Sequence, residues 1–182
     1  MTVIIIIAII ALLVLWVISV QRKLVAKDEI CKNALSQIGV QQNSRWDALT
    51  ALVELIKSYN EHEYNTLRDV IAARKTLGPS SSVQDVQEAD NAIAGALRQI
   101  NVVAEQYPDL KANENYAIAM NSVNQYENQV RTSRMVYNDA VTTYNNITRQ
   151  FPDSFVASLL KFQPREYLQE PQGKTDMPSM KI

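Results

Sequence analysis

The chain has 182 residues, 47% of them hydrophobic, and a formal net charge of −1, which is one ordinary domain's worth of sequence. Its Lys and Arg residues do not gather into a stripe that could track phosphates, so no nucleic acid is expected as a partner. Cys31 is the only cysteine; it excludes an internal disulfide and any cysteine-cluster metal site, and it reads as a small apolar residue on a helix face.

The first element is VIIIIAIIALLVLWVISV at residues 3–20, without charge, Gly or Pro. As a helix it spans roughly 27 Å, close to the ~30 Å hydrocarbon core of a bilayer. A signal peptide carries its basic residues before the apolar run; here Arg22, Lys23, Lys27 and Lys32 follow it, so the run reads as a retained anchor. Cationic flanks stay on the cytoplasmic side, which orients the N-terminus outside and the bulk of the chain inside. Trp16 lies one turn from the basic end, within reach of the interface.

Beyond the anchor, Cys31, Leu35 and Ile38, then Leu49, Leu52, Ile56 and Tyr59, recur at alternating three- and four-residue spacing and share one helix side. The apolar stripe is interrupted by QQNSR at 41–45, which makes either a polar belt in one helix or a bend beside Gly39. One near-continuous helix to about Thr76 is favoured, ended by LGPSSS at 77–82, where Gly78 caps and Pro79 cannot continue the ladder. A second helix starts near Ser82 or Val83, carries Val86, Ile93, Leu97, Ile100 and Ala104 on one face, and stops at Tyr107. In the third, Tyr116, Ala119, Val123, Tyr126, Val130, Ser133, Tyr137, Ala140, Tyr144 and Ile147 keep heptad spacing, which makes a packing seam rather than a ligand box.

Two related corners follow these helices: QYPDL at 106–110 and QFPDS at 150–154. Pro disfavours helical geometry at the preceding aromatic, so the first corner ends helix two and Asn113 with Glu114 opens helix three. At the second, Asp153 can cap a short fourth helix with Val156, Leu159 and Leu160 on its apolar side. Tyr107 and Phe151 are expected to fold back onto the bundle as plugs. No other titratable group is positioned to share a proton with Asp109 or Asp153, which argues against a carboxylate pair.

AEQYPDLKANENY at 104–116, YNDAVTTYNNITRQFPDSFVASLLKF at 137–162, ALSQIGVQ at 34–41 and ALVELIKSYNEHEYNTLRDVIAAR at 51–74 resemble the LemA family of bacterial membrane-anchored helical proteins. The resemblance implies an N-terminal anchor followed by an antiparallel helical bundle, in a family with no established biochemical activity. The sequence departs from that pattern at QQNSRWDALTALV, where the family usually shows a basic run and a Pro further along. Any role of that basic run does not carry over.

No catalytic, cofactor, metal or binding residue is assigned. His62 is the sole histidine, and HEYNT lacks the second histidine of H-E-x-x-H. There is no G-x-S-x-G elbow or Gly-rich phosphate loop among four glycines. Asn146, Ile147 and Thr148 match a glycosylation acceptor but fall inside a predicted helix. The tail from Gln163, with Pro164, Pro171, Gly173 and Pro178, is expected to be mostly disordered, although PREYLQ at 164–169 could dock one aromatic.

The sequence therefore predicts an all-α chain: a transmembrane anchor at 1–22, an antiparallel up-and-down cytoplasmic bundle of three long helices plus a short fourth at 23–162, and a tail at 163–182. It is expected at the bacterial inner (plasma) membrane as a non-enzymatic scaffold, adaptor or assembly unit without cofactor. Its partners would be the bilayer and other proteins, including further copies of itself. The alternative is a sensor or carrier holding a small ligand or peptide between helices, with Gln42, Arg45 and Ser133 as the polar positions inside the stripes.

Overall fold

The computed structural model describes residues 1–59, 61–72 and 74–169. These residues form helices α1 (Thr2–Lys57), α2 (Glu61–Ala72), α3 (Val83–Gln106), α4 (Pro108–Lys111), α5 (Glu114–Arg149) and α6 (Asp153–Leu159), with no strand among them. The expected all-α helical bundle is what forms. The described residues divide into two compact units, one of residues 1–34 and 135–167, the other of residues 35–134 with 168 and 169.

In the second unit α1 is followed by a hairpin, which corrects the expected helix to Thr76. Ser58 and Tyr59 close the helix with bonds from their N–H groups to the carbonyls of Leu55 and Ile56. Lys57 lies in the last turn of α1, and Glu61 and Glu63 lie in the first turn of α2, so each end carries the charge its dipole favours. The Tyr64 hydroxyl donates to Glu54, and Arg74 pairs with Asp47. As α1 rises from 47 to 54, its partners fall from 74 to 64, so α2 returns antiparallel. The reason is apolar periodicity: a straight continuation would leave Leu67, Tyr64 and Ile71 without a core. The hairpin buries Leu67 and packs the other two against the cluster of Trp46, Leu49, Leu52, Ile93 and Ile100.

The polar belt lies within unbroken α1, as the first of the two alternatives had it. The Asn43 amide donates to the Leu77 carbonyl at 2.9 Å and its oxygen accepts from the Leu77 N–H at 3.2 Å. A Cβ on Gly39 would come within 3.2 Å of Leu77 Cβ. Gly39 therefore serves close approach of the returning chain, not a bend. α3 begins where expected: Ser82 accepts from the Asp85 N–H and Asp85 accepts from the Ser82 N–H, a reciprocal capping box. Arg45 meets Asp90 of α3 and Glu127 of α5, while Tyr59 accepts from Asn113. α1 and α3 thus run parallel, and α5 runs back against both.

The two Pro corners differ. At the first, Pro108 opens the single turn α4, Leu110 is buried, and Tyr107 is half-buried against the core. Asn113 Oδ1 accepts from the N–H groups of Asn115 and Tyr116, as expected for the cap of α5. At the second, the Phe151–Pro152 bond is cis, Phe151 is 88% exposed, and no side chain caps α6. Phe151 is therefore no plug, which corrects the second half of that expectation. Asp153 bonds to Lys23 at 3.0 Å instead of capping. Val156 and Ala157 form the buried side of α6, while Leu159 and Leu160, expected there, are exposed.

Residues 163–167 run as an extended strap in the first unit rather than as disordered chain. The Tyr137 hydroxyl donates to the Glu166 carbonyl at 2.9 Å and the Tyr144 hydroxyl to the Gln163 carbonyl at 3.0 Å. Asn145 bonds both backbone groups of Arg165, whose guanidinium donates to Asp28 at 2.6 Å. Leu168 is the buried apolar residue of PREYLQ, and Tyr167 stays exposed. The remainder of the expected tail, 170–182, lies outside the described residues.

The strap makes stability pH-dependent in a defined direction. Burial alone would raise the Asp28 carboxyl, but the hydrogen bonds and charges of Arg165 and Lys32 outweigh it and hold Asp28 below its ordinary value of 3.8. A carboxyl depressed in the folded state stabilises above the unfolded value and loses that contribution as pH falls through the folded one. Denaturant midpoints measured from neutral to acid pH should therefore fall below about pH 4, and Asp28→Asn should be less stable at neutral pH and flatter in that window. An equal acid slope in both proteins would remove Asp28 from the account.

Candidate functional site

The polar groups of the α1 belt meet charged residues of α3 and α5 inside the second unit. Arg45 reaches Asp90 Oδ1 at 3.3 Å through Nη1 and pairs with Glu127 through Nη2. Arg134 Nη2 reaches the other oxygen of Asp90 at 2.9 Å, and its Nη1 donates to the Gln169 carbonyl at 3.3 Å. Gln42, fully buried, donates to the Val86 carbonyl at 3.3 Å. Asp90 therefore bridges two guanidiniums, and two cations face two anions. Burial pulls the Arg45 guanidinium below its ordinary value, while Glu127 and Asp90 oppose that shift.

The local sequence shows why these charges turn inward. Asp90 follows Val86 by four residues and precedes Ile93 by three; Glu127 stands the same way between Val123 and Val130, and Arg134 between Val130 and Tyr137. Each sits on the edge of a buried apolar stripe, so its carbon stem enters the core with its neighbours. Of the polar positions expected inside the stripes, Gln42 and Arg45 join this layer. Ser133 does not. It lines a separate polar groove of about 370 Å³ with Gln41, Gln125 and Gln129. Asp90, Glu127 and Arg134 escaped the sequence reading, although their spacing from buried valines marked them.

The quartet neutralises itself. Its ion pairs tie α1, α3 and α5 together. Elsewhere, His62 is exposed on α2, and among the described residues no group of three or more His, Cys, Asp and Glu is placed to hold a metal ion. Cys31 is fully buried, and desolvation pushes its thiol up against the opposing charge of Arg165, which disfavours the reactive thiolate.

Two open surfaces with apolar lining stand out among the described residues. A solvent-open groove of about 670 Å³ runs between α1 and α5 of the second unit, with Ala48, Ala51, Ile118 and Ala119 on its floor and Asp47 and Glu54 among its polar groups. In the first unit, residues 3–15 of α1 are apolar and exposed all round: Ile4, Ile7, Leu12 and Leu15 are between 61% and 71% exposed. An 18-residue window of this helix has a mean hydropathy of 3.4 and only 6% of it is buried. It is long and apolar enough to cross a membrane.

Residues 34–181 match the LemA family. The chain belongs to the LemA family. This LemA-family chain is also similar to the magnetosome protein MamQ 2 of Paramagnetospirillum magneticum, 33% identical over 102 residues, covering 56% of this chain and 38% of that protein. The magnetosome protein MamQ of Magnetospirillum gryphiswaldense is 28% identical over the same length. Protein LemA of Metamycoplasma hominis is 27% identical over 133 residues, covering 71% of this chain and 59% of that protein. The chain thus spans well under half the length of the MamQ relatives it matches. Family and anchor together make it a membrane-associated helical protein of bacterial type.

Proposed function

We propose that this LemA-family chain is a single-pass, non-catalytic scaffold or assembly unit that holds a helical bundle at the cytoplasmic face of the bacterial inner membrane and acts through protein–protein contacts. The observation that carries the reading is the continuity of α1. One helix leaves its side chains exposed over residues 3–15 and from Val20 onward supplies buried positions to the fold. A bundle that shares a helix with its anchor presents its surfaces to partners near the membrane. The self-neutralising quartet favours rigidity over catalysis. The MamQ relatives are named for the magnetosome, which fits a component of an assembly.

The basic residues after the apolar run favour the cytoplasmic orientation. Alkaline phosphatase fused after Gln169 should stay inactive in cells and a cytoplasmic fluorescent reporter at the same point should be bright; the reverse pair would overturn the orientation. Detergent extraction with pull-down and mass measurement on one preparation should recover defined partners or a homo-oligomer. A monomer that captures nothing would count against the scaffold.

The α1–α5 groove supports a second reading, in which a peptide or small ligand sits between helices. Ala48→Leu and Ala51→Leu would fill its floor. Loss of partner capture at unchanged stability would favour this reading.

A further inference from the structure

The corner that failed to fold inward has an exposed face of its own. Phe155 and Leu159, 66% and 65% exposed, stand four residues apart and share one side of α6, and Phe151, 88% exposed, lies in the turn two residues before the helix. Val156 and Ala157 occupy the opposite, buried side. The chain has three phenylalanines, and this corner turns two of them to the outside. Soluble surfaces rarely gather large apolar groups this way without an occupant.

The position of α6 says what the occupant is. The first residue of α6, Asp153, bonds Lys23 Nζ at 3.0 Å. Lys23 stands three residues past Val20, where the apolar run ends, so by helical rise it lies about 4.5 Å beyond the hydrocarbon boundary. The headgroup layer is roughly 5–8 Å deep on each side. Val20 and Leu24 are buried and Trp16 and Val17 half-buried, whereas residues 3–15 are exposed, so the fold already packs on α1 at that level. Lys23 and, close to the corner in sequence, Arg149 and Lys161 are exposed, as is Arg22 beside Lys23 on α1. Exposed apolar side chains at headgroup depth, with basic residues flanking them in sequence, match an anionic bilayer surface.

We propose that the corner from Phe151 to Leu159 is a second, interfacial membrane contact, in which α6 lies on the bilayer beside the anchor and sinks Phe151, Phe155 and Leu159 into the headgroup–acyl boundary. The proposal rests on α1 being the anchor. It gives the unit a seat as well as a tether, fixing how α5 and the strap stand on the membrane.

The test uses the full chain in vesicles of phosphatidylcholine and phosphatidylglycerol, with spin labels on single cysteines in a Cys31→Ala background. Labels replace Phe151, Phe155 and Leu159; Ile10 serves as the bilayer marker and Asp139, exposed on α5, as the aqueous one. The ratio of oxygen to nickel-chelate relaxation should be several-fold higher at the three corner sites than at Asp139, and below that at Ile10. Corner labels as open to nickel as Asp139, with Ile10 still shielded, would overturn the proposal and leave the anchor standing. Ile10 open to nickel would remove the anchor and the proposal together. Spin–spin broadening at Phe155 that vanishes on dilution with unlabelled protein would assign the face to a second copy and also overturn it. If Cys31→Ala does not fold, Phe155→Trp in a Trp16→Phe chain gives the same decision. Brominated lipid should quench emission from the indole introduced by Phe155→Trp while buried Trp46 stays bright, and equal protection of both would overturn the proposal.

Discussion

Replacing Asp90 with alanine is expected to cost about 3–5 kcal/mol, because it leaves Arg45 and Arg134 inside the bundle with one carboxylate between them. Asp90 touches both guanidiniums, so its loss is felt twice. Asp90→Asn should cost nearly as much, since the shape is kept and the charge is not. Converting all four together (Arg45→Met, Asp90→Leu, Glu127→Leu and Arg134→Met) should restore most of the stability, because no uncompensated charge remains and apolar side chains fill the volume. Urea unfolding of the detergent-solubilised chain measures all three. A loss below about 1 kcal/mol for Asp90→Ala would mean that water reaches the pairs and screens them as it does surface ion pairs.

Trp46→Ala is expected to cost about 3–5 kcal/mol as well, by a different mechanism. Trp46 is 1% exposed at the centre of the main apolar cluster, and its truncation leaves a cavity the helices cannot close. Tyr107→Ala removes an aromatic that is only half-buried, and should cost roughly half as much in proportion to the area it covers. Phe151→Ala should stay within about 0.5 kcal/mol. This ordering separates a core anchor, a rim plug and a residue with no intramolecular role. If Phe151→Ala proved as damaging as Trp46→Ala, the second corner would be part of the core and its outward face would need another explanation.

Most helix positions were legible because apolar spacing reports them directly. The α3 stripe and the α5 seam are buried largely as their periods dictate, and the caps at Ser82 and Asn113 follow from short-range chemistry. The hairpin after Lys57 was harder to see. Its signal is a charge reversal from Lys57 to Glu61 and Glu63 without Gly or Pro, and the helix that follows is stabilised by distant core residues rather than by its own sequence. Corner two was misread for a similar reason. An aromatic before Pro predicts a turn, but whether the ring faces core, water or lipid depends on what lies across from it. In the polar layer, Gln42 and Arg45 stood out within an apolar stripe. Asp90, Glu127 and Arg134 lay beside the assigned seam positions, and only the packed helices show that the seam is wide enough to include them.

The quartet also removes a degeneracy that the heptads would otherwise leave. Tyr116, Val123, Val130, Tyr137 and Tyr144 recur every seven residues, so α5 could slide by one heptad against its neighbours and still lay apolar side chains on apolar side chains. The charges forbid it in both directions. A slip one way carries Arg134 to the place of Glu127, cation against Arg45, with Val141 left opposite Asp90. A slip the other way carries Glu127 to the place of Arg134, anion against Asp90, and puts Met120 beside Arg45. Each misaligned assembly buries a like-charged pair, and one arrangement of the helices survives.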